Sequence, residues 1–144
     1  YKDKLLFKQM SATDIAYNND SFDCVTMAFG IRNVEDPQKC LKEIYRVLKP
    51  EGRVLIMEFS LPKNICIKWG YLIYFRYVLP FIGGLISGDF KAYKYLNQSV
   101  ESFPYGDKFV YMMNRAGFTS SFKTLSLGIA MLYIGEKRNN DNKN

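Results

Sequence analysis

Histidine is absent from all 144 residues. That removes Ser-His-Asp and Cys-His nucleophilic catalysis, HExxH zinc sites and any imidazole proton shuttle from this chain. The three cysteines, Cys24, Cys40 and Cys66, form no CxxC pair and are odd in number. Neither a disulfide framework nor a cysteine-built zinc site is therefore expected, no metal is expected, and free thiols point to a reducing compartment. What remains for chemistry is arginine, carboxylate, hydroxyl and aromatic ring. Arg32 stands out by position, just past the carboxyl end of the apolar run at 22–29, where open parallel sheets hold their ligands. An arginine stays charged and is a poor base by itself. A structural ion pair or a capping contact is the competing reading of Arg32. Glu58 closes the next apolar run near the same rim, where it either orients Arg32 or serves as a structural charge.

The elements that must position these groups follow from local pattern. Residues 5–10 read as a short strand and 17–21 as a polar turn. The run at 22–29 is mostly apolar without alternation, which suits a strand buried on both faces. Asp36-Pro37 opens a helix, with Asp36 as cap and Pro37 at the first helical position. Cys40, Leu41, Ile44, Val47 and Leu48 share one face of it. Pro50-Glu51-Gly52 breaks that helix, and 54–59 is a second buried strand. The order strand, strand, helix, strand predicts right-handed crossovers and a parallel sheet covered by helices. Asp107 caps a later helix with Phe109, Val110, Met113 and Ala116 as its apolar stripe and Gly117 as its stop. Residues 118–125 and 129–135 read as a closing antiparallel hairpin around Ser126-Leu127-Gly128. Residues 138–144 read as a disordered tail.

Residues 61–104 read as a helical insertion. Ile65, Trp69, Leu72, Ile73 and Arg76 mark one face, while Tyr71, Tyr74, Phe75 and Val78 make the other side apolar too. Pro80 and Gly83-Gly84 are expected to break the segment, and Lys68, Arg76 and Pro80 argue against a membrane span. Lys plus Arg is 20 and Asp plus Glu is 14, a net charge of +6. A solvated basic surface is the first reading of this excess and an anionic membrane face the second. Nucleic acid is not expected as a partner, because no dense basic run carries interleaved stacking aromatics. The chain opens at Tyr1 with no signal or transit segment ahead of it, and it reads as the C-terminal piece of a longer protein.

Three motifs, Asn19-Asp20-Ser21-Phe22-Asp23, Arg46-Val47-Leu48-Lys49-Pro50-Glu51-Gly52-Arg53 and Ala116-Gly117-Phe118, occur in the order seen in class I S-adenosylmethionine-dependent methyltransferases. Phe29-Gly30-Ile31-Arg32-Asn33, Glu58-Phe59-Ser60, Leu79-Pro80, Ile82-Gly83, Gly88-Asp89 and Tyr93-Lys94-Tyr95-Leu96-Asn97-Gln98-Ser99 are sharper. Together they make residues 5–137 resemble the ubiquinone/menaquinone biosynthesis C-methyltransferase family. The Tyr93–Ser99 block matters most, since generic methyltransferases lack that insertion.

The resemblance implies an α/β fold: the C-terminal part of a Rossmann-like sheet of order 3-2-1-4-5-7-6, here strands 3–7 without strands 1 and 2, as one partial domain over 1–137. The strand at 22–29 would then be an open edge, and the fragment made alone is expected to be marginal, self-associated or inactive. The implied reaction is C-methylation of a polyprenylated benzoquinol or naphthoquinol with S-adenosyl-L-methionine as cofactor. In that reaction Arg32 is the catalytic residue, stabilising a phenolate or orienting a water that takes the proton. Ser11 and Ala12 correspond to the family's adenine-contacting Asn-Ala or Asp-Ala pair, with Ser11 a departure. Ala28 stands where bacterial members have serine, which leaves backbone contacts from Ala28 and Phe29 to the cofactor. Asn33, Asp89, Tyr93 and Tyr95 are the implied substrate contacts. A turn or cap role for Asp89 and core packing for the two tyrosines stand beside that reading, and being two apart the tyrosines do not share a helical face. The 65–86 stretch would admit the isoprenoid tail, lie on a membrane or pack in an interface. The expected partners are the quinol, a membrane surface, and a second copy or a quinone-biosynthesis complex. The expected location is the matrix face of the mitochondrial inner membrane in a eukaryote, or the cytoplasm beside the membrane in a bacterium. Another lipophilic substrate, or a non-catalytic scaffold role in a lipid-biosynthetic assembly, are the alternatives.

Overall fold

The computed structural model describes residues 5–87 and 90–138. Asp36 accepts a hydrogen bond from the Lys39 amide at 2.9 Å, and with Pro37 inside the first turn this starts α1 (Pro37–Val47). The helix buries Cys40, Leu41, Ile44 and Val47 as its spacing requires. Burial pushes the Cys40 thiol up to about 11, so it sits in the core as a neutral apolar group. α1 connects β1 (Phe22–Ala28) to β2 (Leu48–Phe59), which pair in parallel with Ala28 opposite Met57. The helix ends at Val47, and the strand starts at Leu48 and runs through Pro50-Glu51-Gly52 rather than after it, with a register shift between Phe22 and Cys24.

β3 (Phe118–Leu125) and β4 (Ala130–Lys137) form the expected hairpin around a turn at Ser126–Gly128. β4 inserts antiparallel beside β2, giving the order β1-β2-β4-β3. This is the 4-5-7-6 half of the sheet that the resemblance implies. The sheet is mixed, because only β1 and β2 are joined by a helical crossover while β3 and β4 reverse through a tight turn. α5 (Asp107–Arg115) lies with α1 in the same core, through Phe109 and Met113. Its cap is Gly106 at φ 61°, and no side-chain cap bond forms, so Asp107 opens the helix instead of capping it. Gly106 is fixed from outside by the Tyr133 hydroxyl, which accepts its N–H at 2.7 Å.

Two expectations fail for one reason: the sheet is covered on one face only and open at one edge among the described residues. Residues 5–10 form no strand; Leu5, Leu6 and Phe7 are exposed, and an apolar run becomes a strand only beside a pairing partner. β1 is not buried on both faces. Phe22, Val25 and Met27 face the core, while Cys24, Thr26 and Ala28 are exposed. Of the three free thiols, Cys24 and Cys66 are exposed and Cys40 is buried.

The insertion forms α2 (Ile65–Ile73), a π turn (Tyr74–Val78), α3 (Leu79–Ser87) and α4 (Phe90–Ser102). Pro80 and Gly83-Gly84 do not break it. In the π turn the Leu79 N–H reaches back five residues to the Tyr74 carbonyl, and this wider turn makes room for a proline that has no N–H to donate. Ile65–Ser87 is thus one continuous 23-residue helical run, long and apolar enough to cross a membrane by length and composition. Gly83 and Gly84 are buried instead of breaking the helix, because the Tyr93 ring of α4 packs where a Gly83 side chain would stand. The tail at 139–144 and Asp89 lie outside the described residues.

Candidate active site

The period of two that buries Val54 and Ile56 carries Glu58 inward as well, to 1% exposure at the carboxyl end of β2. A lone buried carboxylate would be costly, so a partner is required. Arg32 supplies it. β1 ends at Ala28, Phe29 turns the chain at φ 53°, and a single 3-10 turn (Ile31–Asn33) anchors Ile31 in the core and points Arg32 back over the strand ends. One Arg32 Nη donates to Glu58 Oε1 and to the Phe29 carbonyl, each at 2.6 Å. Glu58 also accepts from the Phe59 amide at 3.0 Å and the Arg32 amide at 3.4 Å. The two side chains are 8% and 1% exposed, a desolvated ion pair at the carboxyl-end rim of the sheet. Arg32 therefore sits where the sequence places it, and Glu58 is the residue that orients it. The salt-bridge reading of Arg32 is met, at the carboxyl ends of the strands.

Aromatic rings wall this pair. The Arg32 guanidinium lies 5.2 Å from the Phe59 ring centre, a cation–π contact. Phe59 meets Phe29 at 4.4 Å and Phe75 at 6.3 Å, and Phe75 stacks on Tyr71 at 5.0 Å. The helical run 65–87 thus closes over the strand ends through Tyr71 and Phe75. Beside Arg32 opens a cavity of about 350 Å³ whose lining includes Tyr95, Ser99, Phe103 and Met112, within the size range of small-molecule sites.

The implied substrate residues divide. Tyr95 lines this cavity and donates to Asn33 Oδ1 at 3.3 Å, so both stand beside Arg32. Tyr93 is turned away and packs on Gly83. Of the implied cofactor residues, Phe29 has its backbone spent: its amide donates to the Met57 carbonyl at 2.8 Å and its carbonyl accepts from Arg32. Strand alternation then directs the Ala28 N–H and C=O to the open edge, beside an exposed side chain. Ser11 is exposed at a small turn and hydrogen-bonds Thr13, while Ala12 packs against the core.

That loop is fastened by Arg46, the first residue of the Arg46–Arg53 motif. Its guanidinium donates to the carbonyls of Ile15 and Tyr17, each at 2.8 Å, and to both oxygens of Glu43. Glu43 in turn accepts from the Ile15 amide at 3.0 Å, and Arg46 holds its carboxyl down to about 2. Sequence reasoning missed this clamp and missed Tyr71. A motif arginine three residues from a glutamate on a helix was the available signal for the first; no local signal marked the second. No group of three potential metal ligands occurs among the described residues.

Comparison with known proteins decides what this arrangement belongs to. The family model described as the ubiE/COQ5 methyltransferase family matches residues 2–137. The chain belongs to the ubiE/COQ5 methyltransferase family. It is 50% identical over 138 residues to the ubiquinone/menaquinone biosynthesis C-methyltransferase UbiE of Geotalea daltonii, covering 95% of this chain and 58% of that protein. It is 44% identical over 131 residues to the demethylmenaquinone methyltransferase of Thermus thermophilus, covering 91% of this chain and 60% of that protein. The chain thus spans about three-fifths of the length of these ubiE/COQ5 relatives. Among solved structures it superposes on a SAM-dependent methyltransferase of Thermotoga maritima, described as a possible histamine N-methyltransferase, with a TM-score of 0.64. That match has 17% identity and covers 95% of this chain and 66% of the other. The [4+2]-cyclase SpnF matches with a TM-score of 0.63 at 12% identity, covering 92% of this chain and 55% of the other. The fold is therefore that of class I S-adenosylmethionine-dependent methyltransferases, and the fold alone leaves the chemistry to the site.

Proposed function

We propose that the protein containing this chain methylates a ring carbon of a polyprenylated benzoquinol or naphthoquinol, with S-adenosylmethionine as donor. The observation that carries the proposal is the buried Arg32–Glu58 pair under the Phe59 ring at the strand ends, in a chain 50% identical to a protein named for this C-methylation. S-adenosylmethionine supplies an electrophilic methyl group, and the ring carbon that takes it must be electron-rich. Arg32 meets that need. It is held by Glu58 with its Nε still unpartnered, and it stabilises negative charge on a ring oxygen without rearranging. Phe59, Phe29 and Phe75 exclude water, which strengthens that interaction.

The residues present fit one wall of the cofactor site: the open-edge backbone of Ala28, the exposed Ser11 hydroxyl, and Ala12 behind it. Ser11 would contact the base and Ala28 the adenosyl group, and the Arg46 clamp holds the Ser11 loop in place. Asn33 and Tyr95 would flank the ring beside Arg32.

The protein works against a membrane, on this reading. Ile65, Trp69, Ile73, Tyr77, Phe81 and Leu85 are half or more exposed along the 65–87 run, while Phe75 and Gly83 face inward. Exposed Lys63 lies at the start of that run, suited to anionic headgroups. In a eukaryote the corresponding surface is the matrix face of the inner mitochondrial membrane; in a bacterium it is the cytoplasmic face. The test is methyl transfer by the full-length protein, using radiolabelled donor and a short-tailed demethyl-quinol. Label in the quinol's ring carbon is expected. Label absent from every quinol offered, with the donor bound, overturns the proposal.

A further inference from the structure

Two polar hydrogens are buried at the site without a partner among the described residues: Arg32 Nε–H and the Tyr71 hydroxyl. Both belong to one aromatic stack. Arg32 lies 5.2 Å from Phe59, Phe59 lies 6.3 Å from Phe75, and Phe75 lies 5.0 Å from Tyr71 with the rings nearly parallel. The stack fixes Tyr71 against the inner side of the helical run, and the π turn at Tyr74–Val78 follows directly after. Resting on the function proposed above, we propose that Tyr71 is a second substrate-binding residue, donating its O–H to an oxygen of the quinol ring.

The chemistry of both donors calls for an acceptor oxygen. A buried hydroxyl without a partner costs stability, so a protein that keeps one has a use for it or fills it with water. One Arg32 Nη is spent on Glu58 and Phe29, and the buried Nε–H is left without a partner. Tyr71 is desolvated, which pushes its hydroxyl up to about 12, with the Arg32 charge opposing that rise. It is therefore a neutral donor across the working pH range. A cationic and a neutral donor together recognise an oxygen that gains negative charge, as a quinol oxygen does when its ring carbon is methylated. Phenylalanine at 71 would keep the stack on Phe75 and remove only the donor.

The experiment compares wild type with Tyr71→Phe in the full-length protein. The readouts are kcat/KM for a short-tailed demethyl-quinol, donor affinity, thermal midpoint, and affinity for the same quinol with its ring hydroxyls replaced by hydrogen. The expected result is a loss of about 10-fold or more in kcat/KM, unchanged donor affinity, and a thermal midpoint equal to or above wild type because the orphan hydroxyl is gone. The hydroxyl-free analogue is expected to bind both proteins equally. Full activity of Tyr71→Phe beside an active wild type overturns this inference and leaves the function standing. A lower midpoint with lost donor affinity overturns it by showing a structural role. A wild type that binds donor but methylates no quinol overturns both readings.

Discussion

Replacing Glu58 by glutamine perturbs the centre of the site by a single atom and a single charge. The carboxylate is 1% exposed and its partner 8%, with 2.6 Å between them. At an effective dielectric constant of about 20 their gross attraction is about 6 kcal/mol. Glutamine keeps an oxygen for the Arg32 Nη and the Phe59 amide. Its NH2, however, must face the Arg32 backbone N–H, which now donates to Glu58 Oε2 at 3.4 Å. A donor would meet a donor, and the guanidinium would be left as an unpaired buried cation. Breaking one side of a buried pair costs about 3–5 kcal/mol. At about 2–4 °C per kcal/mol for a domain of this family's size, the midpoint falls by roughly 6–20 °C. Differential scanning calorimetry of the full-length variant reads this directly. The double variant Arg32→Met with Glu58→Leu removes both charges and is expected to recover most of the midpoint while methylating nothing. A Glu58→Gln midpoint within about 2 °C of wild type would refute the reasoning, because the pair would then not be desolvated.

Three further outcomes follow from the structure. Tyr133→Phe leaves the buried Gly106 N–H without its 2.7 Å acceptor and is expected to cost about 1–3 kcal/mol by urea titration; a neutral result would mean that the α5 cap is fixed elsewhere. Gly83→Ala forces a methyl into the Tyr93 ring and is expected to lower stability by about 1–3 kcal/mol, with faster protease cleavage of the insertion as the readout. Glu43 is held at about 2 against an ordinary 4.5, chiefly by hydrogen bonds from Arg46. A lowered carboxylate pKa stabilises the fold above the unfolded value and stops doing so as pH falls through the folded value. The difference in midpoint between wild type and Glu43→Gln is therefore expected to be full above pH 4.5 and to vanish as pH drops toward 2.

What the sequence made legible was whatever local chemistry decides. Asp36-Pro37 and the stripe from Cys40 to Val47 specify α1 without reference to the rest of the molecule. Ser126-Leu127-Gly128 specifies the hairpin in the same way. The failures sit where a partner outside the segment decides. Residues 5–10 have strand composition and, among the described residues, no strand to pair with. Pro80 and the Gly83-Gly84 pair look like breaks; a π turn absorbs the first and the Tyr93 ring uses the space at the second. Arg32 was found because strand ends are where α/β folds place ligands. Glu58 was placed at the same rim, but its burial depends on β4 and the core covering it. Tyr71 carried no signal, since its hydroxyl becomes buried only when its own helical run folds back over Phe59.

The central claim is that Arg32 acts on the methyl acceptor and not on the donor. It is tested most directly by measuring, in full-length Arg32→Lys and Arg32→Ala, the quinol methylation kcat alongside the equilibrium affinity for S-adenosylmethionine. A kcat reduced by about 100-fold or more in Arg32→Ala, with donor affinity within about twofold of wild type and a partial recovery in Arg32→Lys, is the expected result. Equal loss of turnover and donor affinity would contradict the account and leave Arg32 as a structural partner of Glu58.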